Sequence, residues 1–325
     1  MKETITVLGD GAFGTAFAML LADNGYAVKL WCHNADVAHE IITKRTNNHF
    51  LPGVVLPELI IPTTDIHDAL HNATYIFEAI PTKYLRAILE SVCSSYNSDQ
   101  KWVVLSKGIE QNTTLFARDI VRGIFGHQVK TALIAGPSFA LQLAQRQCTA
   151  VNIYADDSAD VDALVRICTN SYFKLFVVSD VIGMQVSGAL KNVIALALGM
   201  LDGAGYGDNT QAYILTRGLD EIAAVIQALQ GSGGTAYSLA GVGDLVLTAC
   251  GHASKNRKFG FLVGKGTLAR ELMSQPDYSC EGVNTVLSCM AIAQKYKLNL
   301  PLCKAVYDIV YHDQPVTILL TTDEH

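Results

Sequence analysis

The chain has 325 residues, half of them hydrophobic, with 24 Lys and Arg against 30 Asp and Glu and a formal charge of −6 at pH 7. That length predicts about two domains with sizeable cores. The acidic balance argues against general nucleic-acid binding, which needs a positive surface to release counterions, so an anionic ligand must meet a local basic cluster. The first residues hold too brief an apolar run for a signal peptide, and no uninterrupted apolar run reaches membrane-spanning length. Eight cysteines, at 32, 93, 148, 168, 250, 280, 289 and 303, contain no Cys-x-x-Cys pair. They read as reduced, cytosolic packing residues. His67 and His71 can share a surface helix face, but no third ligand has metal-binding spacing, so no metal is expected.

In chain order, Thr4 to Leu8 reads as a strand. Gly9-Asp10-Gly11-Ala12-Phe13-Gly14 follows at once, then an Ala/Leu-rich helix to about Asp23. This is G-x-G-x-x-G in the context that gives it meaning. The first glycine allows a tight turn, the second lets backbone approach a pyrophosphate, and the third lets helix and strand pack closely. A second strand, Ala27 to Trp31, ends at Cys32-His33-Asn34. An acid there would bond the adenosine ribose and repel the extra phosphate of NADP. His33 does neither, so NADP(H) should be tolerated, with Arg45 or Lys44 to assist it. Asp36 begins the next helix.

Strand-like runs at 74–80, 101–105, 131–135, 149–154 and 172–178 alternate with helical patterns at 84–93, 113–122 and 160–169. Such alternation predicts a parallel, doubly wound sheet. Ligands of these sheets bind at strand C-termini, which makes Lys107, Gly136 and Ser138 candidates. Ser138, beside Pro137, taken by itself reads rather as a helix cap.

Past Ser179 strands give way to Ala-, Leu- and Gly-rich helical sequence, so the boundary is placed between residues 1–179 and 180–325. Helical runs are expected at 210–229, 261–273, 285–296 and 304–311. The apolar run from Ile182 to Leu201 holds one charge, Lys191. Its helical neighbours Ser187, Gly188, Ile194 and Ala195 supply no carboxylate, so a partner must come from elsewhere, unless the stem snorkels to water. Gly188 and Ala195 leave room beside it for a ligand, and Asn192 adds a hydrogen-bonding group. Two further clusters stand out. Asp244, in A-G-V-G-D-L, either caps the next helix or poises a carboxylate. Ser254-Lys255-Asn256-Arg257-Lys258 offers three cations and two neutral donors, chemistry suited to a phosphate, or else a solvated charged face.

These clusters occur together and in order, and with them the chain resembles bacterial NAD(P)-dependent glycerol-3-phosphate dehydrogenase. The matching segments are G-D-G-A-F-G-T-A, W-C-H-N, N-H-F-L-P-G at 48–53, S-K-G-I-E, A-G-P-S-F-A, the run from Ile182 through Glu221, A-G-V-G-D-L-V-L-T, S-K-N-R-K-F-G and C-E-G at 280–282. The resemblance implies a Rossmann-type N-terminal domain and an all-α C-terminal domain like that of 6-phosphogluconate dehydrogenase. It implies reversible hydride transfer between sn-glycerol 3-phosphate and dihydroxyacetone phosphate, with NADPH or NADH, supplying the phospholipid backbone precursor. Lys191 would be the general acid/base, with Lys107 and Asp244 orienting the reacting oxygens and balancing charge. Gly136, Ser138, Asn192, Ser254, Lys255 and Asn256 would bind substrate. Gly9, Gly11, Ala12, Phe13, Gly14, His33, Lys107, Ala140, Lys255 and Glu281 would contact the dinucleotide. A cytoplasmic homodimer is implied as well. Two departures stand out: Lys255 replaces a family arginine, and Glu78 puts an acid where an apolar strand residue is expected. A hydroxyacid dehydrogenase or a non-catalytic dinucleotide sensor are the alternatives. The basic cluster argues against the first, and Lys191, Lys107 and Asp244 against the second.

Overall fold

The computed structural model describes residues 3–251, 254–275, 278 and 280–321. The chain forms two compact units. The first comprises Met1–Ser106, Ala117–Ile134 and Ser138–Ser179; the second comprises Lys107–Phe116, Ala135–Pro137 and Asp180–His325. Two short segments of the N-terminal half therefore go with the helical unit.

In the first unit the strands are β1 (Ile5–Leu8), β2 (Val28–Trp31), β3 (Thr46–Asn47), β4 (Leu51–Val55), β5 (Ile60–Thr63), β6 (Tyr75–Glu78), β7 (Lys101–Val104), β8 (Lys130–Ala135), β9 (Thr149–Ala155) and β10 (Phe173–Val177). Eight of them form one sheet in the order β10-β9-β8-β7-β6-β1-β2-β5, and β3 and β4 form a separate antiparallel hairpin. The six strands from β8 to β5 are parallel. The order leaves β1 in one direction toward β2 and in the other toward β6, which makes their C-terminal ends the switch-point crevice of a doubly wound sheet. Their near-continuous apolar burial fits strands covered on both faces.

Two features differ from the expected pattern. The main-chain N–H of Asp156, just past β9, donates to the carbonyl of Thr131 near the start of β8, so opposite ends meet and β9 runs antiparallel. β10 follows β9 in parallel. Strand β5 escapes the sequence pattern because Ile60-Ile61-Pro62-Thr63 is short and carries a proline. The sheet tolerates it because β5 is an edge.

In the second unit the helix Val181–Gly203 is buried nearly all round. By length and composition, with Lys191 interrupting its apolar run, it could cross a membrane, but 89% of its most apolar window is buried in the protein. Asp180 starts it, accepting from the N–H of Gly183 at 2.9 Å and Ser232 at 2.9 Å and from Thr235 Oγ1 at 2.6 Å. Helix Lys255–Gly264 lies against it backbone to backbone. A Cβ on Gly199 would overlap Arg257 O, and one on Gly260 would overlap Leu196 O. Only hydrogen side chains permit that approach, and it carries the basic segment to the lysine helix. Ile109 and Phe116 join the same core, which also includes helices Asp208–Ala228, Glu281–Tyr296 and Pro301–His312.

Candidate active site

Lys191 lies in the middle of the 181–203 helix among fully buried Leu190, Val193, Ile194 and Ala195, and is itself 7% exposed. Each large apolar neighbour contributes roughly 2 kcal/mol by leaving water. An unpaired ammonium would cost several times that, so Lys191 must be compensated. The compensation comes from Asp244, 53 residues on: Lys191 Nζ donates to its Oδ1 at 2.6 Å and to Thr248 Oγ1 at 2.9 Å. The snorkelling alternative is thereby excluded.

Asp244 is 1% exposed and is the first residue of helix Asp244–Cys250, whose N-cap is Gly243. Its carboxylate does not cap; it takes a second ammonium, Lys107 Nζ, on Oδ2 at 2.6 Å. Lys107 Nζ also donates to the Gly136 carbonyl at 3.2 Å. The room that Gly188 offers is filled by the Lys107 stem, whose Cγ would stand 3.5 Å from a Cβ there. Thr248, one helical turn after Asp244, donates to the Asp244 carbonyl at 2.7 Å and so turns a lone pair toward Lys191. Sequence reading missed Thr248; its i+4 spacing from Asp244 was the available signal.

Burial lowers the pKa of Lys191 to about 8, against the opposing pull of Asp244 and with help from the charge on Lys107. Sharing one carboxylate between two ammoniums is why desolvation wins. The group can both give and take a proton near neutral pH.

Asn192 and Asn256 are both buried and bonded to each other. Asn256 Oδ1 accepts from the Gly282 N–H at 2.9 Å, and its Nδ2 donates to Asn192 Oδ1 at 2.9 Å. A main-chain N–H can only donate, so this chain of bonds fixes both amides and leaves the Asn192 Nδ2 group as a donor for a ligand. Glu281, the residue before Gly282, opens helix Glu281–Tyr296 and is half-buried.

The other members of the basic segment diverge because the segment is helical. Lys255 is exposed, Ser254 Oγ is the helix cap accepting from Arg257 N at 3.2 Å, and Lys258 lies 5.5 Å from the Tyr278 ring centroid. Arg257 is drawn to Asp202 Oδ2 at 2.9 Å and to the Ala249 carbonyl. Arg257 is therefore not part of one basic cluster with Lys255 and Lys258, which stand three apart on the helix.

In the first unit, β1 leads into the glycine turn. Gly9 has φ 122°, and a Cβ on it would stand 2.8 Å from Ala79 O, while a Cβ on Gly14 would overlap Gly9 O. Those two glycines are required by the fold. Gly11 is not: its φ is −62° and a Cβ would meet nothing within 4 Å. Helix Ala12–Asp23 has no side-chain cap and no acid in its first turn, so its N–H groups face outward beside Gly11. That is a cradle a pyrophosphate fits and a side chain would obstruct. Gly11, Ala12 and Phe13 remain partly accessible. Asn47, also missed from sequence, braces this turn by donating to the Asp10 carbonyl at 2.8 Å and to Thr15 Oγ1 at 2.9 Å.

His33 is exposed just past β2, its ring 5.8 Å from Trp31. Arg45, expected to assist an adenosine phosphate, is instead committed to the carbonyls of Pro57 and Ile60. Ser138 is not a cap, because helix Ala140–Ala144 begins after an N-cap at Phe139; Ser138 and Ala140 are both half-buried. Glu78 is fully buried at the end of β6. No group of three or more His, Cys, Asp or Glu among the described residues could hold a metal ion.

Residues 4–161 match the model of the NAD-dependent glycerol-3-phosphate dehydrogenase N-terminus, and residues 180–321 match that of its C-terminus. A Bacillus cytotoxicus protein named glycerol-3-phosphate dehydrogenase (NAD(P)+) is 35% identical over 314 residues, 96% of this chain and 92% of its own. The crystal structure of glycerol-3-phosphate dehydrogenase from Coxiella burnetii superposes with a TM-score of 0.93 at 30% identity, covering 100% of this chain and 99% of that one. The Saccharomyces cerevisiae enzyme structure gives 0.83 at 26% identity, with all of both chains covered.

Proposed function

The chain belongs to the NAD-dependent glycerol-3-phosphate dehydrogenase family, and from that membership we propose that it interconverts sn-glycerol 3-phosphate and dihydroxyacetone phosphate with NADPH or NADH. The observation that carries this reading is one buried lysine, tuned to about 8 between a carboxylate and a second ammonium. A protein that merely senses dinucleotide has no use for such a group.

Residues 1–179 are assigned the cofactor and residues 180–325 the substrate, with segments 107–116 and 135–137 added to the substrate half. Gly9, Gly11, Ala12, Phe13 and Gly14 hold the pyrophosphate, with His33 at the adenosine and Ala140 and Glu281 as further dinucleotide contacts. The bound nicotinamide supplies or takes up the hydride. Lys191 gives its proton to the carbonyl oxygen of dihydroxyacetone phosphate, or in reverse takes the proton of the glycerol hydroxyl. Lys107 and Asp244 hold that oxygen and Lys191 in register, and Thr248 fixes the ammonium's third direction. Asn192, as a fixed donor, and Lys255 and Asn256 at a helix N-terminus receive the phosphate. Gly136, Ser138 and Ser254 complete the substrate contacts. The same reading extends to phospholipid precursor supply by a cytoplasmic homodimer, the latter checked by light scattering.

The deciding assay follows reduced-nicotinamide absorbance with dihydroxyacetone phosphate, comparing NADPH with NADH. Reduction needs the ammonium and should fall as pH rises through about 8; glycerol 3-phosphate oxidation needs the amine and should rise there. No turnover in either direction, with cofactor binding established separately, sinks the reading.

A further inference from the structure

Glu78 is an acid in a strand whose other residues, Tyr75, Ile76 and Phe77, are aromatic or apolar. It is 0% exposed at the last residue of β6. Its Oε1 accepts from the Ile80 N–H at 2.6 Å and its Oε2 from Ser106 Oγ at 2.6 Å. A buried carboxylate is no cheaper for the fold than an apolar side chain of similar volume, and often dearer. What it does that leucine cannot is satisfy the Ile80 N–H and hold Ser106, and the second of these reaches toward the lysine cluster.

The place of that bond matters. The β6–β7 ladder pairs Glu78 with Val104, and Leu105 N–H adds one more bond to the Glu78 carbonyl at 2.9 Å. There the main-chain ladder stops. Ser106 is held by its side chain instead, and the next residue is Lys107, whose Nζ binds Asp244 Oδ2 at 2.6 Å. The Lys107 stem lies against Gly188 and its Nζ is also tied to the Gly136 carbonyl, so it has little freedom to make good a shift of its Cα by about an ångström, and the short ion pair lengthens instead.

We propose that Glu78 is a positioning residue for Lys107: by holding the Ser106 side chain it fixes the peptide from which Lys107 departs, and so the share of Asp244 that Lys107 takes. This rests on the reading of Lys191 as the acid/base. If Lys107 withdraws, Lys191 loses a like charge and gains the whole of Asp244. Both changes favour its ammonium, so its titration moves up.

Four variants test the link: Glu78→Leu, Glu78→Gln, Ser106→Ala, and Glu78→Leu with Ser106→Ala. Three quantities are measured: the melting temperature, the pH dependence of Lys191 trace acetylation read by mass spectrometry without substrate, and kcat against pH. Glu78→Leu leaves the buried Ile80 N–H unpaired and should melt a few degrees lower than the parent, and beyond that should raise the Lys191 titration by about half a unit or more and cut kcat about ten-fold, with cofactor KM within about two-fold. Glu78→Gln should restore most of the rate. Its amide oxygen can accept from Ile80, and its NH2 can donate to Ser106, since a hydroxyl serves either role. Ser106→Ala keeps the bond from Ile80 and should reproduce the Lys191 and kcat changes of Glu78→Leu without its loss of melting temperature, and the double variant should have kcat no lower than Glu78→Leu. An unmoved Lys191 titration in Glu78→Leu, or single losses that multiply in the double variant, overturns the proposal. A parent enzyme that fails to reduce dihydroxyacetone phosphate, while Lys191 still shifts in the variants, sinks the assigned reaction and leaves the link to Lys107 standing.

Discussion

The glycine turn after β1 and the lysine cluster around Asp244 are built on opposite principles. The first is a site made by leaving atoms out, within six consecutive residues. The second is made by bringing charges together from positions 107, 191 and 244, buried deeply enough that each depends on the others. Deleting an atom group should therefore harm the second site most, and adding one should harm the first.

The largest effect is expected where the proton donor is removed. Lys191→Ala should lower kcat by about 10³-fold or more while leaving the reduced-cofactor dissociation constant, read by fluorescence titration, nearly unchanged. Substantial residual turnover removes Lys191 from its role. Asp244→Asn should cost about 10²-fold and leave two ammoniums without their shared anion. Because Asp244 raises the Lys191 pKa, its loss should move the alkaline limb of reduction to lower pH. A limb that stays in place, or moves up, contradicts the assigned electrostatics.

The glycine turn gives the sharper contrast. Gly11→Ala meets no atom and needs no unusual φ, so the protein should melt unchanged while cofactor affinity falls about ten-fold. Gly14→Ala meets the Gly9 carbonyl and should destabilise the fold by roughly 1–3 kcal/mol. Equal effects of the two substitutions on melting would erase the distinction between a glycine kept for ligand and one kept for packing. The smallest change should come from Lys255→Arg, lowering the KM for dihydroxyacetone phosphate a few-fold by offering a fork in place of a point charge. An unchanged KM places the phosphate elsewhere.

The same contrast explains what could be read in advance. The glycine turn is contiguous, so its spacing carried its geometry, and the apolar helix around Lys191 advertised a charge that needed a partner. The partner's identity was not in the local sequence. Asp244 read locally as either a cap or a poised carboxylate, and Thr248 like any helical threonine. Lys255, Arg257 and Lys258 looked like one cluster until the helix of 255–264 turned Arg257 about 200° from Lys255, toward Asp202. Arg45 was misjudged for a related reason, since a polar residue near a strand end is as easily spent on the backbone as on a ligand. The reversal of β9 could not be read either, because alternating patterns report that strands exist and not which way they run.

Residues Lys107–Phe116 and Ala135–Pro137 belong with the helical unit, and Ile109 and Phe116 are buried in its core. A gene divided once, between codons 179 and 180, would hand a recipient that core without two of its apolar side chains and that cluster without one of its cations. Chimeras between members of such a family thus require three exchanged segments, 107–116, 135–137 and 180–325, to keep the helical half intact.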